Sequence, residues 1–251
     1  MSSADASDDD VDVAVTADVP AHWERMLSTR RILFLHGYTQ NSTIFRSRIR
    51  GLLRKLEKNG FDPVFISAPH AAVSPGREIN NPRTWWRTAV SNLEDSPREY
   101  AGWPESRALI CSTWAHGGFI GMVGFSQGAV VVHHLLNEMA AAAGGDAALQ
   151  HALAPLLHES PQFVVCSSGF PSRAGAEGVF SPPRPVHKIR ALITSSDADA
   201  LVPPAMQDAQ AAFFESPARI RHDKGHGVPQ TAADCKVIID FINDALARPF
   251  V

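Results

Sequence analysis

Gly121-Met122-Val123-Gly124-Phe125-Ser126-Gln127-Gly128-Ala129-Val130-Val131 is an apolar run interrupted by a serine with a glycine two positions away on either side. The residues leading into it, 119–125, make a short continuous apolar stretch of the kind found in a strand buried on both faces. Those that follow, 127–143, carry helical spacing. A serine at the turn between such a strand and such a helix sits in a strained backbone that only small neighbours tolerate, and the GxSxG pattern supplies them as Gly124 and Gly128. The pattern alone recurs by chance, and a purely structural Gly-Ser turn is the alternative. The strand before it and the helix after it favour an exposed nucleophile at Ser126.

The same alternation extends in both directions. The segments 31–35, 62–68, 119–125, 162–168, 190–195 and 218–222 read as strand candidates, separated by helical patterns at 42–59, 104–116, 127–143, 203–214 and 230–247. Within 42–59 the apolar residues Ile44, Phe45, Ile49, Leu52, Leu53 and Leu56 recur at helical spacing, and Gly60 supplies a stop. This order predicts an α/β fold: a mostly parallel sheet of about six strands with helices on both faces. Ligands bind such sheets at the carboxyl ends of the strands, where His36, Ser126, Ser196 and the 223–228 loop all fall. Two segments break the rhythm. The stretch 69–103, with Pro75, Pro82 and Pro97 around Trp85-Trp86, is expected to form a short lid or pocket wall, and 169–187 a pocket rim. The Ala- and Gly-rich stretch 140–148 reads as a helix end and surface connector.

Composition narrows the function classes. At 251 residues and 45% hydrophobic, the chain suits one domain, expected over 29–251, preceded by a disordered acidic tail at 1–28 that carries Asp5, Asp8, Asp9, Asp10 and Asp12. A net charge of −3 with 23 scattered Lys and Arg argues against a nucleic-acid surface. The densest basic group, Arg46, Arg48, Arg50, Arg54 and Lys55, reads as a solvated helix face. Three cysteines, Cys111, Cys166 and Cys235, lie far apart without CxxC spacing and read as buried thiols of a reducing compartment. The start is neither basic nor apolar, and no run approaches the length of a membrane span, so the expectation is a cytoplasmic protein without stable membrane insertion.

A serine hydroxyl is a poor nucleophile at neutral pH and needs a base within hydrogen-bond reach and a carboxylate to orient that base. Downstream of Ser126 an apolar strand runs into Ser195-Ser196-Asp197-Ala198-Asp199-Ala200-Leu201-Val202-Pro203, and beyond it lies Asp223-Lys224-Gly225-His226-Gly227-Val228-Pro229. The order serine, acid, histidine is the one that strand-turn-helix nucleophiles use. Asp199 is preferred over Asp197 because Ser196-x-x-Asp199-x-x-Val202-Pro203 matches the GxxDxxVP form of this loop; Asp197 otherwise serves the turn. His226, between two glycines, suits a loop tip folding back over the serine better than His222 at a strand end. His222 and His226 also have the spacing of a zinc pair, but Gly225 and the lack of HExxH speak against it, and no metal or cofactor is implied. His133 and His134 read as surface or packing residues. The oxyanion needs two backbone N–H donors, expected from Gln127 and from Tyr38 in the loop after the first strand, which His36 shapes.

Taken together, Leu35-His36-Gly37-Tyr38-Thr39-Gln40-Asn41, Ala68-Pro69-His70, Arg83-Thr84-Trp85-Trp86, the Ser126 motif, Ser168-Gly169-Phe170 and Gly225-His226-Gly227-Val228-Pro229 resemble the FSH family of serine hydrolases over about 30–247. The resemblance implies an α/β-hydrolase domain without a large cap, a Ser126-Asp199-His226 triad and carboxylesterase- or thioesterase-like activity on a small-molecule acyl ester. Ser196, where a glycine is common, departs from the pattern. Trp85, Trp86, Phe170 and Val228 are expected to line the acyl pocket, although paired tryptophans also serve simply to pack a lid. A lysophospholipase-like lipid hydrolase with the same triad and a non-catalytic binding protein on this scaffold are the alternatives.

Overall fold

The computed structural model describes residues 30–74, 78–88, 100–173 and 187–248. Strand β1 (Arg31–Leu35) is followed by helices α1 (Ser42–Arg48) and α2 (Arg50–Lys58) and strand β2 (Asp62–Ile66). Four two-residue strands come next: β3 (His70–Ala71) pairs with β4 (Arg83–Thr84), and β5 (Arg87–Thr88) pairs with β6 (Tyr100–Ala101). Helix α3 (Trp103–Trp114) leads to β7 (Phe119–Phe125) and α4 (Gln127–Ala143). Short helices α5 (Ala147–Ala152) and α6 (Ala154–His158) precede β8 (Phe163–Ser167) and β9 (Arg190–Ser196), and α7 (Pro204–Ala211), β10 (Ala218–His222) and α8 (Ala232–Ala247) complete the order.

Six strands form one sheet in the order β10-β9-β8-β7-β1-β2, every neighbouring pair parallel. All seven residues of β7 are buried, as an uncharged strand in mid-sheet requires. The pleat sends alternate side chains of β1 to opposite faces. Ile32 and Phe34 join a core with Phe45, Leu52, Leu56, Ile238 and Ile242, from α1, α2 and α8. Leu33 and Leu35 join another with Ile110, Trp114, Val130, Val131 and Leu135, from α3 and α4. Helices therefore cover both faces, the α/β architecture expected. The chain leaves β1 toward β2 and leaves β7 toward β8, so connections diverge between β1 and β7. That divergence opens a crevice at their carboxyl ends.

Local departures have physical reasons. The helix expected over 42–59 is two helices meeting at Ile49 (φ −113°, ψ 27°), whose side chain is buried with Phe45. Gly60 ends the second with φ +77°, a conformation glycine adopts without strain. Helix α8 begins at Ala232 because Thr231 and Asp234 form a capping box that fixes its start. The sequence reading missed α5 and α6. Each is too short for a periodic pattern, and burial of Leu153 and Leu156 holds them in place. The acidic tail lies outside the described residues, as do parts of the two expected rim segments, 75–77, 89–99 and 174–186. Arg46, Arg48, Arg50, Arg54 and Lys55 are all exposed, and the three cysteines are buried thiols. Among the described residues, no helix is long and apolar enough to cross a membrane.

His133 and His134 are interior rather than surface residues. His133 Nδ1 accepts the Ser172 N–H at 2.8 Å, and His134 Nδ1 lies 3.0 Å from the Ser172 hydroxyl. His187 packs edge-on against His133. Burial lowers the pKa of His133 to about 3 and those of His134, His187 and His36 to about 4. The unfolded chain takes up these protons near pH 6.5, so the stability these rings carry is complete above that pH and is lost as the pH falls toward 4. Each ring contributes a slope of up to about 1.4 kcal/mol per pH unit in that window. The urea unfolding midpoint is therefore expected to be lower at pH 5 than at pH 7. An unchanged midpoint would mean that the folded protein accepts these protons freely.

Candidate active site

Strand β7 ends at Phe125 and delivers Ser126 with φ 52° and ψ −118°, strained for any residue with a side chain. The elbow exists because its flanking glycines admit no substituent. A Cβ on Gly128 would lie 2.0 Å from the Leu35 carbonyl oxygen at the end of β1, and one on Gly124 would lie 2.4 Å from the Gly128 carbonyl. The first turn of α4 thus rests on the backbone of β1. The Ser126 N–H donates to the Ser167 carbonyl at 2.9 Å, continuing the β8 pairing through the strained residue. A Cβ on Gly37 would come within 3.1 Å of the Ser126 Cβ, so the loop after β1 lies directly against the elbow.

The acid and the histidine arrive from β9 and β10. His226 Nε2 lies 3.0 Å from Ser126 Oγ, and its Nδ1 lies 2.8 Å from Asp199 Oδ2. The carboxylate, whose side chain is fully buried, also accepts the Leu201 and Val202 N–H groups at 2.9 Å each and the Gln207 amide at 3.3 Å. Burial pushes its pKa up, but the Val202 N–H, the His226 ring and the Leu201 N–H outweigh that and hold it below the usual carboxylate value. The Asp199 carboxylate and the Ser126 hydroxyl thus face the two opposite nitrogens of the His226 ring. The rivals point elsewhere. Asp197 pairs with Arg221 at the surface, and His222 Nδ1 accepts the Lys224 N–H.

Ser196 ties the two incoming loops together. Its Oγ accepts the Ala198 N–H of the acid loop at 3.2 Å and the Gly225 N–H of the histidine loop at 3.1 Å. Gln207 on α7, fully buried, donates to the Val202 carbonyl at 2.5 Å as well as to Asp199, and its Oε1 accepts the Ser196 N–H. Neither role is visible in a motif. The one sequence signal for Gln207 is a polar residue on the inward face of the short helix after Val202-Pro203.

The loop after β1 is braced from below. His36, fully buried, accepts the Ala68 N–H at Nε2 and directs its Nδ1 proton to the Gly37 carbonyl, which makes the ring neutral and its role architectural. Its carbonyl accepts the Trp85 indole N–H at 2.8 Å. Arg83 exchanges backbone hydrogen bonds with Thr39 and Gln40, and the Gln127 side chain accepts the Trp85 N–H. Tyr38 and Gln127 consequently flank the elbow, and among the described residues neither backbone N–H donates to a protein acceptor.

The expected pocket residues separate. Trp85 has no exposed surface and acts as a brace, and Trp86 is buried against Tyr100 with ring centroids 4.1 Å apart. Phe170 is half-buried against the α4-side core. Val228 lines a cavity beside His226 together with Gln40, Phe45, Ile49 and Phe125, none of which was expected there. Among the described residues, no cluster of His, Cys, Asp and Glu could hold a metal ion.

The family model described as Serine hydrolase (FSH1) matches residues 26–238. An esterase of Anopheles gambiae is 32% identical over 227 residues, covering 87% of this chain and 79% of that protein. An esterase of Caenorhabditis elegans is 31% identical over 224 residues, covering 87% and 95%. Among solved structures, SOBER1 of Arabidopsis thaliana superposes with a TM-score of 0.53 at 20% identity, covering 86% of this chain and 98% of that one. A carboxylesterase of Bacillus cereus gives 0.53 at 14% identity, covering 85% and 87%. At those identities the structural likeness is one of fold.

Two substitutions probe the scaffold of the site. Gly128→Ala forces a backbone clash and is expected to cost at least about 2 kcal/mol in stability, read as a lowered melting temperature. Ser196→Ala leaves two N–H groups without their acceptor and is expected to cost on the order of 1–3 kcal/mol, with the lost order confined to the acid and histidine loops in hydrogen exchange.

Proposed function

Because the chain belongs to the FSH1 family of serine hydrolases, we propose that it cleaves carboxylic esters or thioesters of small molecules through an acyl-enzyme on Ser126. The single observation that carries this reading is the unbroken hydrogen-bonded chain from Ser126 through His226 to a buried Asp199, mounted on a strained elbow.

In this mechanism Ser126 Oγ attacks the acyl carbonyl while its proton passes to His226 Nε2. Asp199 holds the ring in the tautomer that can accept it and stabilises the imidazolium that results. Negative charge gathers on the carbonyl oxygen, where the Tyr38 and Gln127 N–H groups are the donors. Loss of one such donor costs on the order of 3 kcal/mol in other serine hydrolases. His226 then returns the proton to the departing oxygen or sulfur, and water attacks the acyl-enzyme by the same route in reverse. The brace through Trp85 and Arg83 matters because oxyanion donors act by being held in place before charge develops. Esterase relatives in insects and a nematode support the reaction class.

Ser126→Ala is expected to lower the turnover of p-nitrophenyl esters and acyl thioesters by at least about a thousandfold while leaving the fold intact. A fluorophosphonate probe is expected to label the wild-type protein at Ser126. Retained turnover in the variant would sink the assignment, and folded wild-type protein that neither labels nor hydrolyses any ester would favour a binding protein.

A further inference from the structure

The His226 ring forms part of the wall of a cavity of about 450 Å³. Two segments supply most of the rest of that wall. Phe45, Arg48 and Ile49 belong to the α1–α2 turn, and Lys224, Gly227 and Val228 belong to the histidine loop. Phe125 joins them as a continuous aromatic surface, with its ring 5.8 Å from Phe45 and 5.0 Å from His226. The two sides are fastened together. Gln230 donates to the Arg48 carbonyl at 2.8 Å and accepts the Gly51 N–H at 3.2 Å, so the space is built in before any ligand arrives. Among the described residues the lining holds two cations, Arg48 and Lys224, and no carboxylate. Lys224 pairs with Asp223 at 3.2 Å, and among the described residues Arg48 has no carboxylate partner.

Resting on the hydrolase reading above, the chemistry assigns this space to one side of the substrate. The bond from the carbonyl carbon to the leaving atom breaks with its electron pair going to that atom, and His226 Nε2 supplies the proton, so the product departs as a neutral alcohol or thiol. The leaving atom must therefore sit against Nε2, and whatever it carries extends to the His226 side. We propose that this cavity is the leaving-group subsite and that it takes an alcohol or thiol with a compact apolar body ending in an anionic group. Phe45, Ile49, Phe125 and Val228 accommodate the body, and Arg48 attracts the charge.

The test compares full-length wild type, Gly227→Leu and Arg48→Ala on methyl acetate, methyl hexanoate, phenyl acetate and 4-carboxyphenyl acetate. A Cβ on Gly227 meets no heavy atom within 4 Å, so the leucine projects into open space. In Gly227→Leu the kcat/KM for phenyl acetate is expected to fall at least about tenfold relative to methyl acetate, with the ratio of methyl hexanoate to methyl acetate preserved. In Arg48→Ala the preference for 4-carboxyphenyl over phenyl acetate is expected to fall about threefold, the size of an exposed ion pair. If Gly227→Leu instead shifts the hexanoate-to-acetate ratio, the cavity holds the acyl chain and the proposal is overturned. It is equally overturned if Arg48→Ala leaves the ratio of 4-carboxyphenyl to phenyl acetate at its wild-type value. Fluorophosphonate labelling of Ser126 separates the two levels of inference. A labelled variant with unmoved ratios removes the subsite and leaves the hydrolase, whereas a wild type that neither labels nor turns over removes both. Arg48 is exposed, so its variant keeps the proposal falsifiable should Gly227→Leu fail to fold.

Discussion

The packing of the first turn of α4 on the end of β1 is the contact on which the rest of the site depends. It is a backbone-to-backbone approach that leaves no room for a side chain at Gly128, where even a methyl group would overlap the Leu35 carbonyl. This approach brings the chain after Ser126 beside the loop that begins at His36, so Ser126 lies between the Tyr38 and Gln127 segments. The strained φ of Ser126 is the local cost of that geometry, and the sheet around β7, buried on both faces, offsets it.

Around this fixed point the remaining groups are carried on loops, and polar side chains hold them in register. Ser196 joins the acid loop to the histidine loop, Gln207 fastens the acid loop to α7, and Gln230 fastens the chain after the histidine to the α1–α2 turn. Trp85 and Arg83 do the same for the loop after β1. The side chains of Ser196, Gln207, Gln230 and Trp85, and the backbone of Arg83, satisfy backbone groups of these segments.

How much of this was legible follows from how local each feature is. The strands and their alternation with helices are written in short local patterns, and the elbow in two glycines, because both depend on neighbours within a few residues. The preference for Asp199 over Asp197 also rested on local spacing. In the folded chain Asp199 meets the His226 ring while Asp197 meets Arg221. The break at Ile49 escaped detection, since the helical spacing on either side of it is continuous. Aromatic residues in a loop suit either packing or binding, so the tryptophan pair is ambiguous in sequence; in the folded chain the Trp85 indole bonds the His36 carbonyl and Trp86 is buried against Tyr100.

By itself, the sequence determined the α/β fold class, the strained turn at Ser126 and the two loops able to supply an acid and a base, since each is set by residue type and short-range spacing. Only the tertiary structure decided which histidine meets that serine and which carboxylate meets that histidine, what Ser196 and Gln207 hold, and where the cavity beside His226 lies. Those outcomes depend on contacts between segments far apart in the chain, such as Gly51 with Gln230 or Ser196 with Gly225, whose pairing no local pattern encodes.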